Sequence, residues 1–334
     1  MSVLHVLKST LHRAWSTAFA AAAWVLLSSA ASAQTVPERT ITLVVPFAAG
    51  GAADTTGRIM ADAMAKHLGQ SIVVENVAGA GGATGSARVK NARADGYTIG
   101  LGHMGTHAAS VPINPKLPFD PRTDFQYLGL VSTTPNILFV RKDFPANTLA
   151  EFISYAKSKG KDLKLGHSGI GAASHITCVL LFKLIGTEPT YVSYRGFGQT
   201  INDILSGSID GSCDLVASVS GQVQGGAVKA LVVAVAERSK TVPNVPTAKE
   251  AGLPEFLAET WTGLYAPKDT PQPVLARLSE AMAKSLADPA VVKRFSDIGA
   301  DVPKAERQGG TYMHKLVVSE VERWSKILAG MKTE

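Results

Sequence analysis

Short apolar runs alternate with helical patterns between residues 41 and 102. The runs 41–45 and 71–75 are rich in β-branched residues, and each leads through a glycine-rich stretch into a helical pattern opening near Asp54 or Thr84. A third run, 97–101, enters another turn of small residues. This alternation predicts an α/β fold in which helical crossovers join parallel strands. The turns then share the carboxyl edge of the sheet, where such folds bind ligands.

The same pattern recurs in the second half of the chain. A proline-rich stretch at 111–125 predicts an irregular loop, and the apolar run 136–140 predicts a strand that crosses into a second domain. Thr148 and Glu151 form a capping box that predicts the start of a helix. After a strand at 164–167 and a glycine-containing loop, Ser174 is the candidate N-cap of the next helix.

A second crossing strand is predicted near 259–266, where the chain returns to the first domain. Two connecting strands would let two Rossmann-like domains close around a ligand cleft without rebuilding either one. The predicted domains are 34–135 plus 262–334 and, between them, 136–261. The amphipathic patterns after residue 270 are assigned to the first domain, and whether they also pack on the second is left open.

Glycines are concentrated in the first two loops, at positions 50, 51, 79, 81 and 82. Glycine tolerates positive φ and lets a ligand approach the main chain. A helix that begins in such a loop offers unpaired N–H groups and the positive end of its dipole. A tight turn without a ligand explains one such loop equally well. Two in tandem favour an anion site, for a carboxylate or a phosphate.

The first 33 residues have the features of a secretory signal peptide. Lys8 and Arg13 precede an apolar stretch, and Ala31-Ser32-Ala33 is a suitable cleavage site, so the mature chain is expected to begin at Gln34 in the periplasm. The alternative is an uncleaved membrane anchor, for which the apolar stretch is short.

Composition and charge narrow the class of protein. Hydrophobic residues make up 46% of the chain and charged residues 18%, which argues against disorder. The net charge of +6 falls to +4 once Lys8 and Arg13 are set aside. This mild excess of positive charge, without a concentrated basic run, suits an acidic small solute and does not favour nucleic acid as a partner.

Two pairs of side chains raise specific alternatives. Cys178 and Cys213 are an even pair in an exported chain, so a disulfide is expected, with two buried free thiols as the alternative. His103 and His107 are four residues apart, a spacing that can bind zinc on a helix. Because no third ligand follows at an obvious spacing, a ligand-lining or capping role is preferred and no metal site is predicted.

Several motifs together resemble the extracytoplasmic solute receptors of the tripartite tricarboxylate transporter family. The resemblance covers about residues 40–328, and its motifs are specific only in combination. The matching segments are Pro46-Phe47-Ala48-Ala49-Gly50-Gly51 with Asp54, Gly79-Ala80-Gly81-Gly82, Asp95-Gly96-Tyr97-Thr98, Ser168-Gly169 with Gly171 and Ser174-His175, and Val242-Pro243 through Pro254.

The resemblance implies a type II periplasmic-binding-protein fold and a receptor without enzymatic activity or cofactor. Such a receptor binds a small organic carboxylate, is expected to act as a monomer and delivers its ligand to membrane permease subunits. Main-chain groups and waters of the first two loops would hold one carboxylate, while the second domain selects the rest of the molecule. The residues predicted to contact the ligand are Phe47, Ala49, Gly50, Gly51, Asp54, Gly79, Ala80, Gly81, Gly82, His103, Thr106, His107, Ser168, Gly169, Gly171, Ser174, Tyr194, Arg195 and Asp214.

Two details are similar to family members that bind aromatic dicarboxylates such as terephthalate. These are the segment 105–109 and the cysteine pair, with Asp214 following the second cysteine. The run 215–220 departs from that subgroup because Leu215-Val216-Ala217-Ser218-Val219-Ser220 replaces a run rich in Gln, Thr and Asn, so both an aromatic and an aliphatic dicarboxylate stay open. Arg195 is the candidate cation for a second carboxylate, or else an exposed arginine in a turn.

Other classes of function remain as alternatives. A receptor that presents its closed form to a signalling partner would have the same sequence features. An exported enzyme is a remote alternative, because Gly79-x-Gly81 lacks the acidic residue and spacing of a dinucleotide-binding loop and no Walker A or G-x-S-x-G motif occurs.

Overall fold

The computed structural model describes residues 38–329. These residues belong to one compact unit. The predicted signal peptide and its cleavage site before Gln34 lie outside the described residues. Within the described part of the chain, none of the helices is long and apolar enough to cross a membrane.

Nine strands form one continuous sheet. The strands are β1 (Ile41–Val45), β2 (Ile72–Asn76), β3 (Thr98–His103), β4 (Phe125–Arg141), β5 (Lys164–His167), β6 (Thr190–Ser193), β7 (Gly211–Leu215), β8 (Val228–Val233) and β9 (Glu259–Pro267). Their order is β2-β1-β3-β9-β4-β7-β5-β6, and β8 pairs with the edge of β4 opposite to β7. The sheet has a parallel group at each end, β2-β1-β3 and β6-β5-β7, while β4 and β9 pair antiparallel between them.

Ten helices complete the described part of the chain. They are α1 (Ala52–Leu68), α2 (Ala83–Lys90), α3 (Ser110–Ile113), α4 (Leu149–Lys159), α5 (Ala173–Ile185), α6 (Phe197–Leu205), α7 (Val216–Gln224), α8 (Gln272–Leu286), α9 (Pro289–Asp297) and α10 (Gly310–Ile327). Short 3-10 turns lie at Ala80–Gly82, Gly160–Asp162 and Ala305–Arg307, and a turn of π-helix at Gly105–Ala109.

Strand β4 links the two parallel groups. Its residues up to Pro135 pair with β9, and from Asn136 onwards it pairs with β7 and β8. The side-chain amide of Asn136 donates to the carbonyl of Ala258 at 2.8 Å and to the hydroxyl of Thr260 at 2.9 Å. These bonds join β4 to the start of β9, the two segments that connect the parallel groups. The structure corrects the start of this strand, because pairing with β9 extends it back to Phe125, which the prediction left in a loop. The division into two closing domains is not tested by this sheet and stays a prediction.

Local sequence explains where helices begin. Helix α4 follows the predicted capping box, since Glu151 N donates to Thr148 Oγ1 at 3.2 Å. The N-cap of α5 is Ala172 and not the predicted Ser174, whose hydroxyl instead accepts a hydrogen bond from Ser168 N at 3.1 Å. The serine is therefore used to shape the preceding loop.

The predicted α/β alternation is confirmed by the packing of helices on both parallel groups. Helix α1 approaches β1 closely at Gly57, where a Cβ would lie 2.7 Å from Val45 Cγ2. Burial of β1 is nearly complete, since Ile41, Val44 and Val45 are 0% exposed. Helices α8 and α9 pack against α1, and α10 packs on β4.

The two cysteines form a disulfide. Cys178 of α5 is bonded to Cys213 of β7, with their Cα atoms 5.3 Å apart. This confirms the expected pairing and joins a helix to the strand beneath it. Both cysteines are 0% exposed.

Candidate functional site

A small cavity lies where the loop after β1 meets the loops after β5, β6 and β7. Its volume is about 50 Å³. The floor is formed by threonines of the two connecting strands, and no lysine or arginine is among the described residues of its wall. The lining residues are Phe47, Ala48, Gly51, Ala52, Ala53, Thr56, His103, Thr134, Ser168, Ala172, Ala173, Ser174, Gly196, Phe197, Asp214, Leu215, Ser218 and Thr262.

Four helices begin at this cavity. They are α1, α5, α6 and α7, which have 17, 13, 9 and 9 residues. Their N-caps are Gly51, Ala172, Gly196 and Leu215, and none of these residues makes a side-chain capping hydrogen bond. Because the first N–H groups of a helix have no partner within it, four uncapped helix openings surround the cavity with hydrogen-bond donors and positive dipole ends. This arrangement favours an anion.

Hydrogen bonds to Asp54, in the first turn of α1, hold the loop after β1 in place. The Asp54 carboxylate accepts hydrogen bonds from Gly50 N, Arg58 Nε and Asn76 Nδ2, each at 3.0 Å. Asn76 Nδ2 also donates to the carbonyl of Phe47 at 3.0 Å. Burial acts to raise the pKa of Asp54, but the hydrogen bonds from Arg58, Gly50 and Asn76 outweigh it and leave the pKa lowered. Asp54 is thus placed to shape the loop and does not line the cavity.

His103 ends β3 and faces the same cavity. Its ring stacks on Phe47, with ring centroids 5.1 Å apart, and its Nδ1 accepts a hydrogen bond from Gly105 N at 2.9 Å. Burial lowers the pKa of His103 to about 4, so the imidazole is neutral at neutral pH. With Nδ1 acting as acceptor, the single proton of the neutral ring lies on Nε2. His103 therefore supplies an uncharged N–H donor.

Thr106 and His107 lie next to His103 but outside the lining of the cavity. Thr106 Oγ1 accepts from His103 N at 3.1 Å and is 2.8 Å from His107 Nδ1. The His107 ring lies among aromatic rings, with Tyr265 closest at 4.4 Å between centroids. Burial lowers the pKa of His107 to about 3. Neither residue lines the cavity; Thr106 holds the main chain of His103, and His107 contacts Thr106.

The loop after β5 uses histidines in the same way. Gly169 N donates to His167 Nδ1 at 3.1 Å, and Gly171 N donates to His175 Nδ1 at 3.3 Å. The two rings are 4.6 Å apart. Burial lowers the pKa of His167 to about 4 and that of His175 to about 3. Both rings are therefore uncharged groups that fix the loop between Ser168 and the start of α5, where Ser174 lies.

Asp214 is the carboxylic acid in the cavity wall. It is 5% exposed, its Oδ1 accepts a hydrogen bond from Leu215 N at 2.7 Å, and its Oδ2 has no hydrogen-bond partner. Burial raises the pKa of Asp214 to about 6. The Leu215 amide and the Ser218 hydroxyl act in the opposite direction, although Ser218 makes no hydrogen bond to Oδ2.

The second glycine-rich loop lies apart from this cavity. Gly81 packs against the loop after β5 so closely that a Cβ would lie 1.8 Å from the carbonyl oxygen of Ile170. Gly79, Ala80 and Gly81 instead line a wider outer cavity of about 800 Å³. Arg195 and Lys116 also line the outer cavity, and Arg195 is exposed.

The predicted contact residues thus fall into three groups. In the inner cavity are Phe47, Gly51, His103, Ser168, Ser174 and Asp214. In the outer cavity are Gly79, Ala80, Gly81, Gly169, Tyr194 and Arg195, together with Ser168, which reaches both. Outside both linings are Ala49, Gly50, Asp54, Gly82, Thr106, His107 and Gly171. Their predicted contact with a ligand stays a prediction.

Sequence reasoning missed several residues of the inner wall. Thr134 and Thr262 come from β4 and β9, and Phe197 and Ser218 come from the first turns of α6 and α7. The threonines carried a weak signal, because a hydroxyl in an otherwise apolar strand needs a partner when it is buried. Phe197 carried none, since an aromatic residue after a glycine is usual in a packed loop.

Comparison with known proteins identifies the family. The model of the tripartite tricarboxylate transporter family receptor matches residues 56–332. The chain belongs to this receptor family.

Relatives and solved structures agree with this assignment. A UPF0065 protein from the TAR-I ttuE-ttuC' intergenic region of Agrobacterium vitis is 37% identical over 294 residues, which are 88% of this chain and 84% of the relative. MatC from Rhodopseudomonas palustris with bound malate is 42% identical, with a TM-score of 0.85 over 87% of this chain and 99% of MatC. R. palustris Rpa4515 with adipate is 31% identical, with a TM-score of 0.82 over 88% of this chain and 97% of Rpa4515. The family and the periplasmic-binding-protein fold expected from sequence are confirmed.

Proposed function

We propose that this receptor captures a short aliphatic dicarboxylate in the inner cavity, after export to the periplasm, and delivers it to the permease subunits of a tripartite transporter. The observation that carries the proposal is the convergence of four uncapped helix N-termini on a cavity whose described lining has no lysine or arginine. Main-chain N–H groups, the hydroxyls of Thr134 and Thr262, and the neutral ring of His103 are the donors for the carboxylates.

The size of the cavity favours a short ligand. A water molecule needs roughly 10–15 Å³ of such space, so a cavity of about 50 Å³ has room for only a few waters. A four-carbon dicarboxylate therefore fits better than a longer aliphatic one, and a rigid aromatic dicarboxylate demands the largest opening of the walls. The ligands named for MatC and Rpa4515, malate and adipate, are also aliphatic dicarboxylates.

The loops after β2 and β5 are in contact, and this contact offers a way for a partner protein to distinguish the ligand-bound receptor from the empty one. Gly81 and Gly169 come from opposite parallel groups of the sheet, and a Cβ on Gly169 would lie 2.6 Å from Gly81 N. A ligand that touches both groups favours the conformation in which these loops meet. The same contact surface would serve a signalling partner, so sensing remains the second possible role for the same captured ligand.

A thermal-shift series tests the proposal. We expect malate at about 100 times its dissociation constant to stabilise the protein by about 2.7 kcal/mol, a rise in melting temperature of about 5 °C or more. Adipate should give a smaller rise and terephthalate the smallest. Mass spectrometry should recover the ligand unchanged, since we propose binding without turnover. No shift with any of these acids would contradict the proposal.

A matched pair of variants locates the site. Ala173→Leu fills the inner cavity at the start of α5 and should abolish the shift. Ala150→Leu makes the same change in the first turn of α4, where the residue is exposed, and should leave the shift intact. Equal shifts in both variants would move the binding site away from this cavity.

A further inference from the structure

An acidic side chain, Asp214, is unexpected in the wall of a cavity that is proposed to bind carboxylates. It lines the inner cavity, it is 5% exposed, and its Oδ2 has no hydrogen-bond partner. It precedes Leu215, the N-cap residue of α7, whose side chain makes no capping hydrogen bond. An ionised Asp214 would compete with the ligand for the same positive helix ends.

We propose that Asp214 binds the ligand as a neutral carboxylic acid that donates a hydrogen bond from Oδ2, so that capture of each ligand takes up one proton from solvent. This inference rests on the proposed carboxylate-binding function. The proton comes from water or buffer, resides on Asp214 while the ligand is bound, and returns to solvent on release. No bond within the ligand changes.

The size of the cavity makes this proton uptake necessary. Asp214 and a ligand carboxylate enclosed together in about 50 Å³ would repel each other if both were ionised. A proton held by one of the two removes this repulsion. Burial already raises the pKa of Asp214 to about 6, against the opposing effect of the Leu215 amide. A bound carboxylate raises it further, because the ligand's negative charge disfavours a second negative charge.

The neighbouring titratable groups do not compensate for this charge. Across the cavity is His103, and on the elements packed against β7 are His167 of β5 and His175 of α5. Burial holds the pKa of His103 and His167 at about 4 and that of His175 at about 3, so all three are neutral above about pH 5. Between pH 6 and 8, roughly, Asp214 is therefore the group of this set whose charge changes.

The charged residues on the same elements are engaged elsewhere. Arg141 at the end of β4 pairs with Asp143 and Asp210. Asp203 of α6 accepts a hydrogen bond from Tyr194 Oη, and Lys183 of α5 donates to the carbonyl of Ile327. Lys164 begins β5 at the end opposite to His167, and α7 carries no charged residue. None of these side chains lines the inner cavity.

Calorimetric titration of the protein with malate across pH 6 to 8, roughly, tests the proposal. Malate is mainly a dianion over this range and almost wholly so above about pH 7, so its own titration contributes little to the slope there. We expect the dissociation constant to rise with pH by up to about tenfold per unit. Repeating the titration in buffers with different ionisation enthalpies should show uptake of close to one proton per malate at about pH 7 to 8, and of less at about pH 6, where part of Asp214 is already protonated in the free protein.

Two variants separate this role from a structural one. Asp214→Asn keeps the shape and supplies a permanent N–H donor, so it should bind malate with a flat pH profile, without proton uptake and more tightly than the parent at pH 8. Asp62→Asn removes one negative charge from the exposed face of α1, where Asp62 pairs with Arg294, and should keep the pH dependence of the parent.

The outcomes are distinguishable. If malate and adipate fail to bind at every pH, the proposed function fails and this inference fails with it. If either acid binds with a flat pH profile and no proton uptake, the proposed function stands and this inference is overturned. It is also overturned if Asp214→Asn retains the slope of the parent.

Discussion

The two glycine-rich loops of the first parallel group have similar sequences but different environments. The first loop, residues 46–51, leads into α1 and lines the inner cavity through Phe47, Ala48 and Gly51. The second loop, residues 78–82, lies in the outer cavity and packs against the loop after β5. In the first loop the glycine at the helix opening has an ordinary φ of −93°, whereas Gly79, Gly81 and Gly82 all have positive φ.

This difference shows that a run of glycines can be needed for two physical reasons. At Gly51 the nearest atom to an added Cβ is Phe197 Cβ at 3.8 Å, which is ordinary contact. In the proposed function, the first loop serves the ligand through the uncapped N-terminus of α1. At Gly81 there is no room for any side chain. The second loop serves the contact between the two sides of the cleft.

Within the two loops, the largest expected effect is at Gly81. Gly81→Ala places a Cβ against the carbonyl of Ile170, so the loops cannot meet, and we expect the affinity for malate to fall about 100-fold because the closed conformation is disfavoured. Isothermal titration calorimetry measures this change.

Gly69→Ala is the matched control for Gly81. Gly69 ends α1 with a φ of 71°, close to the 63° of Gly81, but an added Cβ there meets no atom within 4 Å. It should reproduce the backbone strain of about 1 kcal/mol without loss of affinity. If the two variants bind malate equally well, the contact between the loops does not matter for capture.

A smaller effect is expected at Asp54, which supports the first loop. Asp54→Ala removes three hydrogen bonds from beneath the loop and should lower the free energy of unfolding by about 2–3 kcal/mol. We expect about tenfold weaker binding of malate, since the N–H groups of the loop lose their fixed positions. Denaturant unfolding and calorimetry measure the two quantities. Asp62→Ala, on the exposed face of the same helix, should cost less than about 1 kcal/mol, and similar losses in both variants would show that Asp54 has no special role.

The smallest effect is expected at Gly50. Its φ is 89°, yet an added Cβ would meet no atom within 4 Å. Gly50→Ala should therefore cost about 1 kcal/mol of stability through backbone strain and leave the affinity for malate nearly unchanged. A loss of affinity as large as that of Gly81→Ala would remove the distinction between the two loops.

Much of the fold could be predicted because its signals are local. The apolar runs of β1, β2 and β3, the capping box at Thr148 and the pairing of Cys178 with Cys213 all occur as expected. The length of β4 could not be predicted, because its first half becomes a strand only by pairing with β9, more than a hundred residues later.

The candidate site was predictable only in part, for a similar reason. Glycine patterns locate the loops at the carboxyl edge of the sheet, but the contact partner of each loop depends on how the second parallel group faces the first. Arg195 illustrates this limit, since its position after β6 is compatible with either cavity and the structure places it in the outer one. Ser174 illustrates another, because a serine near a helix start can cap the helix or, as here, accept a hydrogen bond from Ser168 N.

The lack of lysine and arginine in the described inner wall has a consequence for release. Attraction by helix openings fades within about one helical turn, unlike the longer reach of a full charge. Once the walls separate by a few ångströms, water can hydrate the acid and little pull remains to recapture it. A transporter that only opens the receptor would therefore release the ligand, because no buried cation holds it in the open state.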